Sequence, residues 1–161
     1  MPALACLLLL AARLVWDGPG ASHLGSPSPD GRYLTGIDPD HKPAGSREFA
    51  YFSVFSRDSR QVAYAWFNAD GFYELRLISV SGGQPRTVYR NEEAGFVQPT
   101  AFSKDGKQIL TLLFRRDNIY RLTGDRVEQI GEGWSPAYSP DASRLAWLGR
   151  RPGENFGVEF R

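Results

Sequence analysis

Phe102-Ser103-Lys104-Asp105-Gly106-Lys107-Gln108-Ile109 is the stretch on which the fold turns, because it occurs four times. It aligns without a gap with Pro27-Ser28-Pro29-Asp30-Gly31-Arg32-Tyr33-Leu34, with Phe55-Ser56-Arg57-Asp58-Ser59-Arg60-Gln61-Val62 and with Tyr138-Ser139-Pro140-Asp141-Ala142-Ser143-Arg144-Leu145. Each copy has Ser two residues before Asp and an aliphatic residue four after it; three begin with an aromatic residue. A single Ser-Pro-Asp-Gly is a common turn, whereas four in register mark an internal repeat, which has to be found before any other feature is read. Chemically the octapeptide is a chain reversal. Asp and Ser side chains accept bonds from nearby backbone N–H groups, Pro fixes φ and Gly supplies positive φ. Ser28, Asp30, Ser56, Asp58, Ser103, Asp105, Ser139 and Asp141 are therefore expected to act as structural turn residues rather than as cation ligands.

The runs that follow each turn are short and rich in β-branched and aromatic residues: Val62 to Phe67, Ile109 to Phe114 and Leu145 to Leu148. That composition predicts strands buried on both faces. Two repeats continue into a more polar, alternating pair. Phe72 to Val80 turns at Ser81-Gly82-Gly83 into Arg86 to Tyr89, and Asn118 to Leu122 turns at Thr123-Gly124-Asp125 into Arg126 to Ile130. No segment carries a 3.6-residue apolar stripe. Four strands per repeat, apolar pair first, is the sequence form of a propeller blade.

Length and composition agree with one such domain. The chain has 161 residues, 42% hydrophobic and 13% aromatic, enough to bury a core. Lys+Arg 19 against Asp+Glu 18 leaves a formal charge of +1, which offers no reason to expect a nucleic-acid partner. One cysteine excludes an internal disulfide, and with two histidines beside it no structural zinc site can be assembled. Residues 1–12 form an apolar N-terminal segment whose run from Ala3 to Ala12 is too short to span a bilayer. It reads either as a signal peptide, although it lacks a basic n-region, or as an apolar N-terminus that packs. The first reading implies a periplasmic or secreted protein, the second leaves a cytoplasmic one open.

The repeated turn, the aromatic before it and the hairpin from Leu75 to Gly83 resemble the WD-like β-propeller repeats of TolB-type proteins. The propeller domains of prolyl-oligopeptidase-type and tricorn-type proteases carry a similar repeat. The resemblance covers roughly residues 13 to 148 and implies an all-β β-propeller, partial or small, spread over residues 13–161. It has about four blades of antiparallel strands, the first and last incomplete. The turn aspartates are 28, 47 and 36 residues apart, where a blade takes about 40 to 45. Asp38 to Phe49, with two prolines, leaves no room for an outer hairpin in the first repeat, whereas Arg13 to Trp16 and Phe156 to Phe160 are candidate extra strands.

Catalytic motifs are not apparent. Gly20-Ala21-Ser22-His23-Leu24 lacks the second glycine of a Gly-x-Ser-x-Gly elbow, and Asp38-x-Asp40-His41 is followed by Lys42, which breaks the calcium-loop pattern. Glu92-Glu93 reads as part of a surface connection. The expectation is a protein with no cofactor and no metal that is not an enzyme. It would be a scaffold binding a protein or peptide partner in the bacterial cell envelope, as the TolB resemblance implies. The alternative is the propeller of a prolyl-oligopeptidase-type serine peptidase whose hydrolase domain is absent from this chain. Trp66, Phe67, Phe72, Trp134 and Trp147 are read first as blade packing; Phe72 and Trp134, expected in loops, are the better candidates for partner contact. An arc of blades that does not close would also expose strand edges through which copies self-associate.

Overall fold

The computed structural model describes residues 23–37, 45–90, 95–113, 118–149 and 157–160. They form four antiparallel sheets in chain order. The first is a hairpin, β1 (His23–Pro27) with β2 (Leu34–Ile37). The second is a full blade of β3 (Phe49–Phe55), β4 (Gln61–Phe67), β5 (Tyr73–Ser79) and β6 (Arg86–Arg90). The third repeats it with β7 (Val97–Phe102), β8 (Gln108–Leu113), β9 (Asn118–Thr123) and β10 (Arg126–Glu132). The fourth has three described strands, β11 (Trp134–Tyr138), β12 (Leu145–Gly149) and β13 (Gly157–Phe160). Strands are laid down in order outward from the first of each sheet, as in a propeller blade.

Each octapeptide joins the first two strands of its sheet, and β1, β3, β7 and β11 pack successively against one another as the inner strands. All four inner strands contain a register shift against their partner: at Leu24/Pro27, Tyr51/Ser53, Pro99/Ala101 and Trp134/Ala137. In two of these the bulge places a non-glycine residue at positive φ, Phe52 at 41° and Ser135 at 53°. Bulges bend and twist a strand, which suits strands that converge on an axis. The inner strands are also sheet edges, so Pro99 and Pro136 can sit in them although proline donates no ladder hydrogen bond.

The core lies between blades. Alternate residues of β8 face opposite ways: Ile109 and Leu113 join Ala63, Leu75 and Val97 against the second blade, whereas Leu110 and Leu112 join Leu145 and Trp147 against the fourth. This is why β8 is apolar along its length. Gly131 on β10 completes the second contact, since a Cβ there would stand 2.8 Å from the Trp147 ring. In the second blade one charged side chain is buried: Glu74 accepts bonds from Asn68 Nδ2 (2.8 Å), Arg76 Nε (2.7 Å) and Thr87 Oγ1 (3.0 Å). Burial pushes its pKa up, but these donors outweigh burial and hold the carboxyl below its ordinary value.

The all-β, partial-propeller expectation holds, with an outer hairpin absent from the first sheet among the described residues. The final strand falls at Gly157–Phe160 and pairs with β12. Arg13 to Trp16, the apolar segment 1–12, Ser22, Asp38 to Lys42 and Glu92-Glu93 lie outside the described residues.

Candidate functional site

The four repeated turns have one geometry. In each, the Ser Oγ donates to the Asp Oδ1 two residues on: Ser28 to Asp30, Ser56 to Asp58 and Ser103 to Asp105 at 2.6 Å, and Ser139 to Asp141 at 2.5 Å. The same Oγ accepts the N–H five residues on, from Tyr33, Gln61, Gln108 and Arg144, at 2.9 to 3.0 Å. The Asp Oδ1 accepts the N–H two residues on, from Arg32, Arg60, Lys107 and Ser143. A backbone bond from the residue three after the Ser closes each reversal, and that residue has positive φ: Gly31 70°, Ser59 59°, Gly106 70° and Ala142 57°. Six residues thus satisfy their own polar groups. The serines reach five residues forward, where the aspartates reach two.

Because each carboxylate receives a hydroxyl and at least one N–H, all four turn aspartates titrate below the ordinary carboxylate value. The Ser hydroxyl is the largest cause in each, followed by the backbone N–H. Asp141, which also accepts from the Ser143 hydroxyl, is lowered to about 2.

The turns also touch one another. Asp30 N–H donates to Ser59 Oγ (3.2 Å), joining the first turn to the second, and the Arg57 guanidinium donates to the carbonyls of Pro140 (2.7 Å) and Ser139 (3.1 Å), joining the second to the fourth. They therefore share one end of the molecule. Between the third and fourth turns is a cleft of about 590 Å³. Its walls are the third turn (Ser103, Lys104, Asp105, Gln108), Arg121 from β9, Tyr138 from β11 and the fourth turn through Leu145.

The cleft is cationic. Lys104, Arg121 and Arg144 line it against a single carboxylate, Asp105, whose Oδ1 is already engaged by Ser103 and Lys107. Arg121 lines the cleft with Tyr138 and has Glu128 Oε2 3.9 Å from one terminal nitrogen, while its Nε is buried without a protein partner. The Tyr138 hydroxyl has its pKa raised by burial, which outweighs the lowering by Arg121 and Arg57, so it is a neutral hydrogen-bond donor at neutral pH. The cleft lining contains no imidazole or thiol, and its Ser103 and Ser143 hydroxyls are bonded to turn carboxylates. Among the described residues no three His, Cys, Asp or Glu side chains cluster as metal ligands.

The two candidate partner-binding aromatics fall elsewhere. Phe72 precedes β5 in a turn, its N–H bonded to Asn68 Oδ1, with the Arg90 guanidinium 5.1 Å from its ring centroid. Trp134 is not in a loop: it opens β11, is half-buried and packs on the Leu110, Ile130 and Trp147 core. The expectation failed there because Gly131 to Pro136 contains the bulge and a proline, both of which hide strand periodicity. Lys104, Arg121, Tyr138 and Arg144 were missed as site residues. A signal for one was present, since comparing the repeats at the residue between Ser and Asp gives Pro, Arg, Lys and Pro, and both cations, Arg57 and Lys104, come to the end of the molecule that holds the cleft.

No family model matches the chain, and no curated protein matches it. Solved structures do. TolB from Acinetobacter baumannii superimposes with a TM-score of 0.63 at 19% identity, covering 86% of this chain and 40% of that one. The putative TolB from Agrobacterium tumefaciens gives 0.65 at 20% identity, with coverages of 91% and 60%. Oligogalacturonate lyase in complex with manganese gives 0.60 at 11% identity, with coverages of 80% and 44%. The chain spans between 40% and 60% of the length of these relatives in structure. At such identities a shared architecture carries no shared activity, as a lyase among the matches illustrates. With its repeated Ser-x-Asp turns, inner-to-outer strand order and blade-to-blade cores, the chain has the fold of the TolB β-propeller, present here as a partial ring.

Proposed function

We propose that the chain is a non-catalytic β-propeller scaffold that holds a protein partner in the bacterial cell envelope. The observation that carries this reading is the cleft between the third and fourth turns. It gathers cations and a neutral phenol donor on fixed strands and turns, with no nucleophile–base pair among its lining residues. Such a lining suits recognition of a ligand. Localisation in the envelope follows from the apolar residues 1–12 read as an export signal. No helix among the described residues is long and apolar enough to cross a membrane.

The test is photocrosslinking of the purified chain in a bacterial envelope fraction, with a photoreactive amino acid at Lys104 and, as control, at the exposed Arg86 of β6. A protein adduct at position 104 and none at 86 is expected. Absence of any adduct at 104 refutes the scaffold reading. Release of product from a fluorogenic peptide by the purified chain would overturn its non-catalytic part, and would favour a peptidase propeller only if a hydrolase domain accompanied it.

A further inference from the structure

We infer that the cleft between the third and fourth blades is a docking site for an acidic peptide segment of the partner, gripped through Asp or Glu side-chain carboxylates. This rests on the scaffold reading and specifies its ligand. Three independent features point the same way.

The first is charge. The chain as a whole carries +1, yet three cations and one carboxylate meet in this cleft, a local surplus of +2. Just outside the lining, Arg57 reaches the fourth turn through the carbonyls of Ser139 and Pro140 and offsets that turn's Asp141, while Glu128 stands 3.9 Å from Arg121 and leaves a net surplus of about +1 around the cleft. A concave surface of one sign concentrates its counter-charge and steers it.

The second is a planar donor group: Arg121 lines the cleft with its side chain 32% exposed. Its one neighbouring carboxylate, Glu128, is exposed and stands 3.9 Å away, at the far limit of an ion pair. The terminal nitrogens of a guanidinium are matched by a carboxylate, which accepts two parallel N–H bonds from them. Tyr138, in the same lining and protonated at neutral pH, adds a hydroxyl donor.

The third is size and rigidity. About 590 Å³ lies within the range of built ligand sites and exceeds what one small anion fills. The walls are two hairpin turns locked by their own hydrogen bonds, so little ordering is required on binding. Lys104 and Arg144, on those turns, supply long, adaptable charges for further carboxylates in the same segment.

The test is fluorescence anisotropy with fluorescein-labelled, end-capped hexaglutamate, against hexaglutamine and hexalysine, on the full chain. Hexaglutamate is expected to bind at least tenfold tighter than either control, and to lose at least tenfold between 0.05 and 0.5 M NaCl. The double variant Lys104→Glu, Arg144→Glu changes only exposed turn residues and should weaken hexaglutamate at least tenfold with an unchanged melting temperature. Arg121→Gln should do the same, whereas Arg86→Glu should have no effect. Equal binding of hexaglutamine, or indifference to the cleft variants, overturns the inference. Competition by glutarate at the peptide's own affinity also overturns it, assigning the cleft to a free dicarboxylate. The crosslinking experiment keeps the two readings apart: an adduct mapped to a neutral or basic segment of a protein removes this inference and leaves the scaffold standing.

Discussion

Replacing Ser56 by Ala asks whether the repeated turn holds the blade or merely decorates it. Ser56 is buried, and its Oγ donates its one proton to Asp58 Oδ1 at 2.6 Å, with the Gln61 carbonyl a longer second acceptor at 3.2 Å, and accepts from Gln61 N–H at 2.9 Å. Each bond contributes roughly 1 kcal/mol net, so the substitution should cost about 2 kcal/mol. Little cavity forms, because only one oxygen is removed, and the backbone bond from Ser56 N–H to Gln61 O (2.8 Å) survives. Urea unfolding followed by tryptophan fluorescence reads the difference, with the slope of the transition unchanged. The same substitution at Ser139, where the turn is more exposed, should cost less than half as much. A loss below about 0.5 kcal/mol at Ser56, the scatter of ordinary surface changes, would refute the claim that these side chains fix the hairpins.

Acid should weaken the fold. The turn aspartates and Glu74 have folded-state pKa values below their ordinary ones, so the stability they contribute is present above about pH 4 and is lost as pH falls toward 2, where Asp141 takes its proton. Urea midpoints at pH 7, 4 and 2.5 should fall in that order, and a midpoint that rises below pH 4 contradicts the turn geometry. Gly131→Ala drives a Cβ into the buried Trp147 ring and should cost about 1 to 3 kcal/mol, seen as a lowered melting temperature. Ala142→Gly relieves a positive φ of 57° in an alanine and should stabilise by up to about 1 kcal/mol; a destabilised variant would show that this turn is not strained. With Leu148 of β12 and Val127 of β10 both exposed, sedimentation should show concentration-dependent association of the purified chain, and a strictly monomeric profile would count against an open arc.

How much of this was legible depends on how local the determinants are. The turns read directly from sequence because Ser and Asp engage groups no more than five residues away, so the whole motif lies in one line of text. Glycine was a weaker guide, since Ser59 and Ala142 adopt the conformation of Gly31 and Gly106 under the pull of the same bonds. The inner strands were harder: Val97-Gln98-Pro99-Thr100 and Trp134-Ser135-Pro136 carry prolines and bulges that erase alternation, and only their position at a sheet edge makes them strands. The cleft was legible only at Lys104, where the repeat comparison shows a cation between Ser and Asp. Its cations come from three separated segments, at 104, 121 and 144, and only the packing of the fourth blade on the third brings them within one cavity. Thr111 illustrates the same limit: nothing in the sequence says that its hydroxyl is buried without a partner.

Each reversal closes upon itself within half a dozen residues, and the inner-strand kink recurs at nearly the same distance ahead of it. A blade is consequently close to a self-contained cassette: copying or deleting one in frame keeps the internal bonds of every remaining corner, and the bonds between corners, such as Asp30 to Ser59 and Arg57 to the fourth turn, must be re-fitted with the seams between neighbouring faces. Ring size in such a lineage can then drift by unequal recombination while individual corners stay recognisable.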